Sequence, residues 1–145
     1  MRLVVDTSVL VSELLRVAGR ERLGDSRLEL FLPEHVADEL RVELPRRAAA
    51  FARRRDLPSS VADQLVAACL AAVDANVAVL ERAVYSAAEF EARARMPRDH
   101  HDWPVVASAL VLAAGIWTQD HDFLGAGVAT WTTDTLAGWL NRQPS

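Results

Sequence analysis

The chain has 145 residues, 51% of them apolar and 25% charged, which is the make-up of one globular α/β-sized domain, expected to span 1–145. No apolar run nears the roughly 20 residues of a membrane span, and Arg2-Leu3-Val4-Val5-Asp6 turns acidic too soon for a signal peptide, so a cytoplasmic protein without membrane contact is expected. Net charge is −4, the single cysteine Cys69 excludes an internal disulfide, and all 16 basic residues are arginine, which excludes every mechanism built on a P-loop, Schiff-base or other active-site lysine.

Arg2–Val5 is β-rich and almost continuously apolar, the pattern of a buried parallel strand. Asp6-Thr7-Ser8 then offers capping groups for a helix running to about Val17. Leu28–Leu32 is a second strand, and Pro33 opens a helix that passes through Glu39 and is expected to be interrupted near Pro45. Pro58-Ser59-Ser60 starts another helix, with apolar residues at 61, 65, 66, 69, 70 and 73. Cys69 falls on it and reads as a small buried hydrophobe. Val77–Leu80 is a short third strand, Ser86–Arg95 a helix, and Asp99–Ala114 a further helix stopped by Gly115. Ile116–Gln119 and, more weakly, Val128–Thr132 are strands, and Thr133 or Asp134 caps a last helix to Leu140. Strands alternating with helices predict a three-layer α/β/α sandwich around a mainly parallel sheet.

Four acidic residues fall at element junctions of that sheet. Asp6 closes the first strand. Glu39 borders the apolar seam marked by Val36 and Leu40, with Asp38 and Glu43 as competitors. Asp102 precedes Trp103-Pro104 at a helix N-terminus, where the dipole favours a carboxylate. Asp120, with Asp122 two residues on, closes the strand around Ile116. Taken singly, each reads as a cap or a surface acid. Taken together, carboxylates gathered at the carboxyl edge of a parallel sheet repel one another and call for a divalent cation with oxygen ligands. One cysteine and four scattered histidines argue against zinc. The adjacent His100 and His101 read as surface residues, and Trp103, Trp117, Trp131 and Trp139 as core or interface residues.

Charge is unevenly spread. The segment from Arg41 to Asp56 carries six arginines against Glu43 and Asp56. An acidic, metal-filled cleft beside a basic segment suits a phosphodiester backbone; a solvated helix face is the alternative.

The motifs Leu3-Val4-Val5-Asp6-Thr7-Ser8-Val9-Leu10, Val36-Ala37-Asp38-Glu39-Leu40, Arg98-Asp99-His100-His101-Asp102-Trp103-Pro104 and Ile116-Trp117-Thr118-Gln119-Asp120-His121-Asp122-Phe123 resemble the four acidic motifs of PIN-domain proteins such as VapC-type toxins. The run from Gly125 to Thr133 also looks like one PIN subgroup. The resemblance implies a Mg²⁺- or Mn²⁺-dependent endoribonuclease, the toxin of a type II toxin–antitoxin pair, with RNA as substrate, an antitoxin protein as partner and a homodimer as its assembly. It implies catalytic roles for Asp6, Glu39, Asp102 and Asp120, and metal ligation by Asp6, Asp102, Asp120 and Asp122. Thr7, Ser8 and Thr118 would support the ligands, and Arg46, Arg47, Arg53, Arg54 and Arg55 would bind RNA.

Two other readings compete. One is a PIN fold that binds nucleic acid or a partner without cutting. The other is a phosphotransferase of the haloacid-dehalogenase type, which wants Asp-x-Asp after its first strand and meets Asp6-Thr7-Ser8 here.

Overall fold

The computed structural model describes residues 1–96, 98–99 and 101–143. Five parallel strands lie in the order β3-β2-β1-β4-β5: β1 (Arg2–Val5), β2 (Glu29–Pro33), β3 (Val77–Leu80), β4 (Gly115–Trp117) and β5 (Thr130–Trp131). β1 occupies the centre because it is apolar on both faces: Leu3, Val4 and Val5 are fully buried. The chain steps from β1 to β2 on one side and reaches β4 on the other, so the order reverses at β1 and β4. Open α/β sheets place ligands at the carboxyl ends of the strands at such a reversal.

One group of helices comprises α1 (Thr7–Leu14), α2 (Val17–Leu23), α3 (Glu34–Arg54) and α4 (Ser59–Asn76), which pack on one another. A second comprises α5 (Arg82–Tyr85), α6 (Glu89–Arg95) and α7 (Trp103–Leu112); a 3₁₀ turn at Ser86–Ala88 joins α5 to α6. The last helix, α8 (Thr133–Arg142), follows β5. The predicted α/β sandwich is the observed fold, and its core runs from the β1 residues through Leu10, Leu14, Leu32 and Leu44 to Val106, Ile116 and Phe123. None of the helices among the described residues is long and apolar enough to cross a membrane.

Several boundaries differ from expectation, each for a local reason. The first helix stops at Leu14, because Arg16 takes an extended conformation (φ −114°, ψ 141°) and a separate α2 begins. Gly19 makes that joint possible: a Cβ there would lie 2.1 Å from the Glu13 carbonyl oxygen. Glu13 itself is buried, held by Arg22 and by the Thr133 hydroxyl at 3.1 Å, which ties α1 to α2 and α8. Pro45 does not interrupt α3, since it is exposed and the carbonyl it frees one turn back can turn to water. The predicted helix over 86–95 is instead a 3₁₀ turn followed by α6, with the short α5 immediately before it. Gly115 is not the stop of α7. The helix ends at Leu112, with Ala113 at φ 49°, and Gly115 opens β4, where an added Cβ would meet Leu3 Cδ2 at 3.1 Å and the Ala129 carbonyl at 3.2 Å.

The last helix is capped one residue earlier than expected. Thr132 and Thr135 form a reciprocal capping box, with Thr135 N–H donating to Thr132 Oγ1 at 3.2 Å and Thr132 N–H to Thr135 Oγ1 at 2.9 Å. Thr132→Ala should lower stability by about 1 kcal/mol, read as a shift of the urea midpoint at constant slope. An unchanged midpoint would show that α8 does not depend on this cap.

Candidate active site

Asp6 is placed by the end of β1: its N–H continues the ladder to the Trp117 carbonyl at 3.0 Å, and its side chain emerges where α1 begins. It occupies the N-cap position, yet its carboxylate makes no capping bond to α1. Two hydroxyls take its Oδ2 instead, Ser8 Oγ donating at 2.7 Å and Thr118 Oγ1 at 3.0 Å. The residue is only 7% exposed. Burial raises the carboxyl above the usual range; the hydroxyls of Ser8 and Thr118 and the Thr7 N–H oppose this, and the charge of Asp120 adds to it.

The other three acids reach the same place from separate elements. Glu39 lies on α3, one turn beyond His35, whose Nε2 is 3.2 Å from Glu39 Oε1; Thr7 Oγ1 donates to Glu39 Oε2 at 2.6 Å. Asp102 is the residue at the start of α7, and again its side chain does not cap the helix. Its carboxyl is pushed up to about 7, first by burial and then by the negative charges of Asp6, Asp99, Asp120 and Glu39. Asp120 follows β4; its Oδ1 accepts from the Asp122 N–H at 2.9 Å, and its own N–H donates to Thr118 Oγ1 at 2.9 Å. Thr118 therefore holds two of the acids at once.

Asp6, Glu39, Asp102 and Asp120 line one pocket of about 260 Å³, together with Thr7, Ser8, Val11, Glu43 and Arg47. Among the described residues, no three acid, histidine or cysteine side chains are already closed to ion-holding distance. The pocket gathers the carboxylates at its walls without drawing them to a point. The donor set still fits a hard divalent cation: it is all oxygen and anionic, and the neighbouring negative charges help to raise the carboxyls of Asp6 and Asp102, an effect that a bound positive charge would reverse.

The PIN-domain family model matches residues 4–141, nearly the whole chain. The chain belongs to the PIN-domain family. The fold is similar to that of PAE2754 from Pyrobaculum aerophilum, at TM-score 0.68 and 17% identity over 99% of this chain and 91% of that one. It is also similar to a chain in a structure of FitAB bound to an IR36 DNA fragment, at TM-score 0.57 and 18% identity over 91% of this chain and 94% of that one. No curated protein sequence matches it. PIN domains are generally nucleases and typically use divalent metals.

Within this PIN domain the remaining sequence-predicted residues separate. Thr7, Ser8 and Thr118 all hydrogen-bond to the acids of the pocket or position them. Asp122 lies outside the pocket lining, with Arg98 3.9 Å from its carboxylate. Of the arginines, Arg47 lines the pocket, while Arg46 faces Glu43 at 3.3 Å. Arg53, Arg54 and Arg55 are exposed at the far end of α3, about 22 Å along the helix from Glu39, and Arg55 stacks 3.8 Å over the Phe51 ring. Asp38 pairs with Arg41 at 2.8 Å. Trp103 and Trp117 are buried, and Trp131 meets Trp139 edge-on. Cys69 is fully buried, donating to the Leu14 carbonyl. His100 lies outside the described residues; His101 is exposed, with its N–H bonded to Asp99. Two contributors were missed: Glu43, weighed only as a rival to Glu39, and His35, whose i,i+4 spacing to Glu39 was the available signal.

Proposed function

We propose that this PIN domain is a Mg²⁺- or Mn²⁺-dependent endoribonuclease. The observation that carries the reading is the convergence of four carboxylates, from the end of β1, from α3, from the start of α7 and from the end of β4, on one pocket at the reversal of strand order. Asp6, Asp102 and Asp120 would hold the ion, with Glu39 as a ligand or as the group that orients the attacking water; Asp122 would act from outside. A divalent ion held there supplies Lewis-acid polarisation of the phosphate and a more acidic water. Ser8 and Thr118 fix Asp6 in one rotamer, Thr7 and His35 fix Glu39, and Thr118 sets the turn that carries Asp120. Arg47, on the pocket wall, would meet a phosphate that enters it.

Likeness to VapC-type members supports a toxin of a toxin–antitoxin pair, acting as a homodimer that an antitoxin protein restrains. The reading of a PIN fold that binds without cutting draws support from the open spacing of the carboxylates. Incubation of single-stranded RNA with the purified protein separates the two: cleavage with Mn²⁺ that stops with EDTA is expected, and binding without cleavage at any Mn²⁺ concentration would leave the non-cleaving reading.

The basic end of α3 carries a further expectation. Charge reversal of Arg53, Arg54 and Arg55 should weaken RNA binding and flatten the dependence of log K on log salt by about 0.7 per lost phosphate contact. Equal affinity and slope in variant and parent at low salt would reduce the segment to a solvated helix face.

A further inference from the structure

A second cavity, of about 380 Å³, opens beside the acidic pocket. The two share a wall: Asp38 lines one and Glu39 the other, Trp103 lines one and Asp102 the other, and His35 spans them through its contact with Glu39. The wall is stiff. Trp103 is 6% exposed and packs on the buried Tyr85, with ring centres 5.6 Å apart. The Arg82 and Arg93 guanidiniums lie 5.8 and 5.1 Å from the Trp103 ring centre. Glu34 and Asp38 supply acceptors on the same lining, and Glu34 is held by the Arg82 N–H at 3.1 Å.

We propose that this cavity is a base-reading subsite that takes the nucleobase adjoining the scissile phosphate, with guanine as the preferred base; the proposal rests on the nuclease reading above. The polarity of the lining argues for it. A phosphate-only site would be cationic throughout, whereas this one sets carboxylates, which only accept, against arginines, which only donate. Guanine is the base that offers both matching edges: O6 and N7 accept from an arginine, and N1–H and N2–H₂ donate to a carboxylate. Extruded bases are read in this way, by hydrogen bonds from pocket side chains to their edges. A base held here would lie across that wall from the carboxylates, so selectivity would appear at a position flanking the cut.

The test uses the full chain with Mn²⁺ and RNA oligonucleotides varied one base at a time on either side of the cleavage site. Guanine at one flanking position should raise kcat/KM by at least about tenfold, and Arg82→Ala should bring that substrate down to the level of the other three bases, chiefly through KM. A uniform fall on all four bases would make Arg82 a phosphate contact and overturn the proposal, as would a parent enzyme with no flanking preference. If the parent cuts nothing, the nuclease reading fails; the subsite is then tested alone by titrating guanosine 5′-monophosphate and following the Trp103 indole N–H by NMR. A shift in the parent that is lost in Arg82→Ala supports the subsite, and no shift at millimolar nucleotide overturns it.

Discussion

Replacing Asp6 with asparagine should lower metal-dependent cleavage by about a thousandfold or more, while the metal-free protein melts higher than its parent. Both halves come from the same contacts. The side-chain oxygen of an asparagine can still accept from Ser8 and Thr118, so the local structure is kept. What is lost is one negative charge from a site that is 7% exposed and beside Asp120. Without metal that charge is a liability, since burial and like charge both disfavour it. With metal it is an anchor. Melting curves with and without Mn²⁺ separate the effects: the parent should gain stability on addition of Mn²⁺, in proportion to RT ln(1 + [Mn²⁺]/Kd), and Asp6→Asn should gain much less. An equal Mn²⁺-induced shift in both proteins, or cleavage within a few-fold of the parent, would remove Asp6 from the metal site.

The fold was legible because its strongest signals are local. Arg2–Val5 has no polar residue after its first position, and a strand buried on both faces leaves that mark in any sequence. The gathering of the acids on the candidate pocket was legible for a related reason: Asp6 and Asp120 follow strands, Asp102 starts a helix, and parallel topology brings strand ends together whatever lies between them. The split between α1 and α2 was not legible. Leu14-Leu15-Arg16-Val17 holds no glycine or proline, and the break is imposed by tertiary contacts, the closeness of Gly19 to Glu13 and the buried link from Glu13 to Arg22. The same limit hid the end of α7, where Ala113 takes a positive φ so that Gly115 is free to sit against Leu3. The second cavity was hidden too, because its lining comes mostly from α3, α5, α6 and α7, and no short motif spans them.

Asp102 makes the pH dependence of the metal-free protein run against the common direction. An ordinary aspartate is ionised above about pH 4 in the unfolded chain, whereas burial and the neighbouring acids hold the folded Asp102 protonated up to about 7. Between those values the folded state binds the extra proton, so the stability contributed by Asp102 is fully present below pH 4 and is lost as pH rises through about 7. Asp25 runs the other way: the Arg27 guanidinium holds its carboxyl at about 2, so its contribution is present above pH 4 and lost in acid. From about pH 5 to pH 8 Asp25 is constant and Asp102 is not. In EDTA the parent should therefore lose several degrees of Tm across that range relative to Asp102→Asn. Mn²⁺ should restore the loss at pH 8 and do little at pH 5, because the ion binds the ionised carboxylate and must displace the proton. Parallel pH profiles for parent and Asp102→Asn in EDTA would mean that Asp102 is not coupled to the acids around it, and the case for a shared cation in this pocket would lose its electrostatic basis.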